Sequence, residues 1–140
     1  MGGQNYDQTL NYLYDLQKYG IKFGLSSTSS LLEKIGNPQA GLKTIHIAGT
    51  NGKGSTAAML SAILVRAGFT VGLYTSPHLV RFNERFRLNE RDIGDEGIMD
   101  VFKTVRAVVD EREPPTFFEM TTAMALSLFA KKGVDWAILE

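Results

Sequence analysis

Seven consecutive residues, Gly49-Thr50-Asn51-Gly52-Lys53-Gly54-Ser55, are the part of this sequence whose types and spacing most directly suggest chemistry. Glycines let a short segment curl until successive backbone N–H groups face one point, and an anion is the natural occupant of such a point. Lys53 adds a full positive charge, and a helix beginning here adds the partial charge of its N-terminus. A polyphosphate fits that combination, with Gly49, Thr50, Asn51, Gly52, Lys53, Gly54 and Ser55 around it. The spelling departs from G-x-x-x-x-G-K-[ST]: Ile47 stands five before Gly52, and Gly54 separates Lys53 from Ser55. The Ser55 hydroxyl suits Mg²⁺ ligation or helix capping. A glycine turn without a ligand is the plain alternative.

Aiming those amides requires a strand before the loop and a helix after it. Thr44-Ile45-His46-Ile47-Ala48 is strand-like, and the small and apolar residues from Ser55 to Ala67, closed by Gly68, predict a helix. Phe69 to Thr75 predicts a second strand, returning parallel to the first across that helix. The helix is apolar nearly all round, which predicts burial against a sheet and under neighbours. Residues 76–94 are charged and predict a long irregular loop. Ile98, Val101, Phe102, Val105, Val108 and Val109 mark one face of a helix. After Pro114-Pro115, Thr116 and Glu119 form a capping pair for a further helix, and Trp136–Leu139 predicts a third strand. At the front, residues 6–19 predict an amphipathic helix ended by Gly20, and Ser30 with Glu33 predicts the start of a short one. The expectation is an α/β fold with a mostly parallel sheet and flanking helices. Residues 1–43 would be a helical preface and 44–140 the start of a phosphate-loop domain. Because the third strand ends on Glu140, the chain is expected to be the N-terminal part of something longer.

Trp136-Ala137-Ile138-Leu139-Glu140 delivers a carboxylate at the end of an apolar strand, a position from which a metal ligand can come, although many strands end in an acid. His46, mid-strand, reads as a satisfied core or interface histidine, and His78 as an ordinary loop residue. Fifteen Lys+Arg balance fifteen Asp+Glu, so nothing points to a general nucleic-acid or acidic-membrane binder. Without cysteine there is no disulfide framework, thiolate metal site or cysteine nucleophile. The polar start MGGQNYDQ lacks an apolar signal region, and no apolar run approaches the roughly 18 residues of a membrane span, so a cytoplasmic protein is expected. The oligomeric state is not legible.

GTNGKGS after TIHIA, then YTSPHLVRFNERFRLN, TFFEMTTAMAL and VDWAILE follow one another between about Gly20 and Glu140. In this order they resemble the N-terminal ATP-binding part of folylpolyglutamate synthase and the bifunctional dihydrofolate synthase, members of the Mur ligase superfamily. The glycine loop indicates the superfamily, and TSPHLVRFNER narrows it to the folate branch. The resemblance implies a truncated phosphate-loop fold of the Mur ligase central-domain kind, with ATP and Mg²⁺ as cofactors. It also implies dihydropteroate or folate and L-glutamate as substrates, joined by an ATP-dependent ligase through an acyl phosphate. Residue by residue, Gly52, Lys53, Gly54 and Ser55 would hold the ATP phosphates, with Lys53 the catalytic cation, and Ser76 and Glu140 would bind Mg²⁺. Lys22-Phe23-Gly24-Leu25 and Phe117-Phe118-Glu119 would contact the pterin-bearing substrate. Arg81 and Arg85, in a mobile loop from Pro77 to Arg91, would meet anionic substrates. The family's remaining G-x-G-G residues, its metal-binding histidine, modified lysine and C-terminal glutamate-binding domain fall beyond the equivalent of Glu140, so the chain alone is expected not to complete ligation. A ligase of cell-wall precursors and a non-catalytic nucleotide-binding module are the other readings. Dihydrofolate synthesis and polyglutamate extension are not distinguished.

Overall fold

The computed structural model describes residues 5–20 and 24–140. In chain order its elements are α1 (Tyr6–Asp15), α2 (Ser26–Lys34), β1 (Thr44–His46), α3 (Lys53–Arg66), β2 (Val71–Tyr74), β3 (Phe86–Leu88), β4 (Arg91–Asp92), α4 (Asp95–Arg106), α5 (Phe117–Lys132) and β5 (Trp136–Leu139). The chain divides into two compact units: residues up to Ala40 with Asp95–Leu128, and Gly41–Gly94 with Phe129–Glu140.

The first unit is helical. Asn5 and Gln8 cap α1 reciprocally, and a 3₁₀ turn, Leu16–Tyr19, carries it to Gly20 at φ +68°, a left-handed stop that glycine adopts without strain. Tyr12 meets Phe102 of α4 edge-to-face, with ring centroids 5.3 Å apart, and the Arg106 guanidinium lies 4.0 Å from the Tyr12 ring centroid. α2 begins at Ser26 with no side-chain cap, so Ser30 lies inside the helix instead of opening it. Burial of Leu31 and Leu32 outweighs the weak local cap signal. At α5 the pattern holds: the Glu119 amide donates to Thr116 Oγ1 at 3.1 Å and the Thr116 amide to Glu119 Oε1 at 2.9 Å.

The second unit is a five-stranded sheet in the order β1-β5-β2-β3-β4. β1, β5 and β2 run parallel, with Leu139 opposite both His46 and Tyr74, whereas β3 and β4 are added antiparallel. The sheet is therefore mixed and has five strands, where a mostly parallel three-stranded one was expected. The two extra strands lie in the segment read as irregular. They are two or three residues long, too short to show a period, and Arg87 on β3 pairs with Asp92 on β4 at 2.7 Å. Ala57, Val71, Leu73 and Ile138 form the core between α3 and the sheet. The opposite face of α3 contradicts its expected enclosure: Met59 is 60% and Ile63 64% exposed. His46 is exposed as well, on the edge strand β1; of the two expectations for it, core or interface, the core one does not hold.

Candidate functional site

The loop from Gly49 to Gly52 leaves the carboxyl end of β1 and enters α3. Gly49 has φ +149° and Gly52, the residue capping α3, has φ +74°, so both bends use glycine's freedom. No side chain caps this helix start, and the first amides of a helix have no partner within it. The Lys53 stem folds back over the loop: a Cβ on Gly49 would lie 3.9 Å from Lys53 Cγ. A positive side chain, a positive helix end and curled backbone thus share one place, which is the electrostatic arrangement for an anion.

The neighbouring strands lead to oxygen-bearing residues at that same end of the sheet. Glu140 follows β5; its amide donates to the Tyr74 carbonyl at 3.0 Å. A Cβ on Gly54 would stand 3.7 Å from Glu140 Oε2, which puts the carboxylate at the first turn of α3. Ser76 follows β2 by two residues, and Ser55 lies in the first turn of α3. Two hydroxyls and one carboxylate are all oxygen donors, the kind that suits Mg²⁺, an ion that keeps several waters and takes few protein ligands. Among the described residues no group of three or more His, Asp and Glu forms a metal centre.

Beyond Ser76 the chain folds into a closed loop. The Thr75 amide donates to the Arg85 carbonyl at 3.1 Å and ties its ends together. Inside, Glu84 accepts from the Leu79 amide at 2.8 Å, the Val80 amide at 3.1 Å and the Arg81 amide at 2.8 Å. These bonds, from Arg81 foremost and then Leu79, hold the Glu84 carboxyl below its ordinary range. Arg85 is buried and its Nε–H donates to His78 Nδ1 at 2.8 Å, whereas Arg81 is exposed. Asn83, also buried, donates to the Ile93 carbonyl at 2.8 Å.

Of the residues assigned to substrate contact, Lys22 and Phe23 lie outside the described residues. Gly24 has φ +88° and Leu25 is 77% exposed. Phe118 is 62% exposed, but Phe117 stacks on Tyr14 at 5.9 Å. Glu119 is buried, capping α5 and accepting from Thr28 Oγ1 at 3.3 Å. Within the same helical unit, α2 and the segment Val108–Pro115 line a cavity of about 570 Å³ with Glu119 in its wall.

No protein-family model matches the chain. Individual relatives do. Over 140 residues it is 45% identical to a probable bifunctional folylpolyglutamate synthase/dihydropteroate synthase of Halobacterium salinarum, covering 96% of this chain and 17% of that one. Over 141 residues it is 38% identical to the dihydrofolate synthase/folylpolyglutamate synthase of Bacillus subtilis, covering 96% and 33%. The crystal structure of folylpolyglutamate synthase from Thermotoga maritima superimposes with a TM-score of 0.89 at 48% identity, covering 96% of this chain and 32% of that one. The chain is homologous to the folylpolyglutamate and dihydrofolate synthases. It spans a third or less of the length of these three relatives. A further folylpolyglutamate synthase structure, a complex with AMPPCP and folate, superimposes with a TM-score of 0.88 at 35% identity.

Two groups that organise this loop are not legible as such in the sequence: Glu84, one of several loop charges, and His78, which reads as an ordinary loop residue. Glu84 lies three residues after Arg81, at capping-box spacing, but arginine in place of Ser or Thr hides the pattern. His78 carries no local signal, since its partner Arg85 comes to it only when the loop closes.

Proposed function

We propose that the chain carries the ATP-binding machinery of a folate-directed, ATP-dependent amide ligase, an enzyme joining L-glutamate to dihydropteroate or to a folate. The observation that supports it best is convergence. The glycine loop, Glu140 and Ser76 leave the carboxyl ends of three adjacent parallel strands, β1, β5 and β2, the place where open α/β sheets take ligands. The reported likeness to a synthase complexed with an ATP analogue and folate points the same way.

In this reading Gly49–Ser55 form a phosphate loop in a Mur ligase-like domain built from residues 44–140. The loop amides and α3 N-terminus take the phosphate oxygens, and Lys53 offsets the charge that accumulates on the transferring phosphoryl group. Ser55, Ser76 and Glu140 would hold Mg²⁺, which when bound neutralises polyphosphate charge. A carboxylate is a poor electrophile; transfer of the γ-phosphoryl group to the substrate carboxylate releases ADP and gives an acyl phosphate. The amino group of glutamate then displaces phosphate. No side-chain nucleophile is required. For substrate contact, the exposed Phe118 and Leu25 of the helical unit are apolar surfaces suited to a pterin ring; taken by itself, the exposed Arg81 of the sheet unit suits an anionic group. Phe117, Glu119 and Arg85, each held by a neighbour, are support for those contacts. The setting is cytoplasmic, consistent with the absence, among the described residues, of a helix able to cross a membrane.

Calorimetric titration with Mg-ATP tests the reading. The wild-type chain binds, and Lys53→Ala weakens binding about tenfold or more, the scale of a lost charge-assisted phosphate contact. Equal affinity in the two proteins rejects the glycine loop as the nucleotide site.

A further inference from the structure

The closed segment from Thr75 to Arg85 contains an arrangement that a charged, solvent-facing loop does not need. One carboxylate, Glu84, collects three consecutive backbone amides, those of Leu79, Val80 and Arg81. Consecutive N–H groups converge on one acceptor only when the backbone wraps around it, so the carboxylate organises the curve and is not decoration on it. The fold also places two large aliphatic side chains outward at the tip, Leu79 at 92% and Val80 at 83% exposure. Water would favour a loop that turned them in. The Glu84 bonds hold the backbone of these same residues. Two further ties surround the same segment: the Thr75 amide to the Arg85 carbonyl, and Arg85 Nε–H to His78 Nδ1. Ser76 lies between those ties, directly after Thr75.

We propose that Glu84 is the positioning residue of the nucleotide site: by gathering the 79–81 amides it fixes the loop that holds the Ser76 hydroxyl at the carboxyl end of β2. This rests on the ligase reading for the identity of the ligand, but the latch itself does not. Glu84 touches neither nucleotide nor metal in this scheme; it acts through the backbone.

The test compares Glu84→Ala and Glu84→Gln with wild type by amide NMR and by titration with Mg-AMPPCP, with Lys53→Ala as control. In Glu84→Ala, exchange of the Leu79, Val80 and Arg81 amides accelerates about tenfold or more, as expected when a local hydrogen-bonded unit opens below the global stability. The Thr75 and Ser76 amide resonances move, while those of β5 do not. Affinity for Mg-AMPPCP falls about tenfold, the low end of what loss of a ligand-orienting contact costs. Glu84→Gln keeps one acceptor oxygen and recovers part of each effect. Unchanged exchange at 79–81 overturns the latch. Faster exchange with Thr75 and Ser76 unmoved overturns the link to Ser76, as does full affinity in Glu84→Ala when Lys53→Ala has lost it. If Lys53→Ala also binds normally, the ligase reading fails separately, and the Thr75 and Ser76 resonances decide the positioning role.

Discussion

The Nε–H of Arg85 donates to Nδ1 of His78 across 2.8 Å. A donor aimed at Nδ1 requires that nitrogen to be an acceptor, which makes His78 neutral with its proton on Nε2. Burial, and after it the Arg85 charge, lowers the His78 pKa from its ordinary 6.5. Below 6.5 the unfolded chain takes up a proton that the folded one refuses, so this residue's contribution to stability is full above 6.5 and is lost as pH falls. An imidazole NMR titration is expected to give a midpoint below 6.5, moving up in Arg85→Gln. A midpoint that ignores the substitution would contradict the pairing.

Gly72, in the middle of β2, faces the ring of Phe129: an added Cβ would stand 2.5 Å from Cδ1. Both neighbouring strands hold this position in register, at Ala137 and Leu88, so the backbone cannot back away cheaply. Gly72→Ala is expected to cost about 1–3 kcal/mol by overpacking, measured by urea denaturation. Coupling with Phe129→Leu in a double-mutant cycle would locate the strain, and strict additivity would place it elsewhere.

Glu140→Gln keeps the shape of the side chain at the first turn of α3 but removes its charge. If this carboxylate holds the divalent ion, nucleotide affinity in Mg²⁺ falls about tenfold or more. In EDTA, affinity is equal to or higher than that of wild type, because a carboxylate repels bare polyphosphate. Loss of the same size in both conditions would assign Glu140 a structural role instead.

Tyr12 is pushed up to about 12 by burial and, after it, by Glu111. The unfolded phenol ionises near 10.0 and the folded one later, so stability from this group is intact below pH 10.0 and declines from there towards about 12. The slope between those values is expected to shrink in Tyr12→Phe, read from thermal melts at stepped pH.

The strand-loop-helix of residues 44–66 was legible because its signals are local: apolar strand, glycines, then helix formers, within some twenty consecutive positions. The Thr116–Glu119 cap was legible for the same reason. What escaped depends on partners distant in sequence. β3 and β4 are too short to announce themselves and exist because β2 offers an edge. His46, flanked by apolar residues, read as a core or interface histidine; which of these holds depends on strand order, which periodicity does not carry. Glu84 looked like one of many loop charges, and only the closed backbone reveals what it gathers.

The order β1-β5-β2 has a consequence for how the sheet comes to exist in time. β1 and β2 are nearest in sequence, yet they never pair with each other; each waits for β5, which a ribosome makes some sixty residues after β2. Until residues 136–139 emerge, the two parallel strands have no common neighbour, and the glycine loop is anchored on one side only. Such long-range closure is slow compared with helix formation, so the helical unit is expected to be structured first and the glycine-loop end of the sheet last. The same strand that joins β1 to β2 carries Glu140 to the first turn of α3, so that closure of the parallel strands and delivery of that carboxylate arrive in a single event.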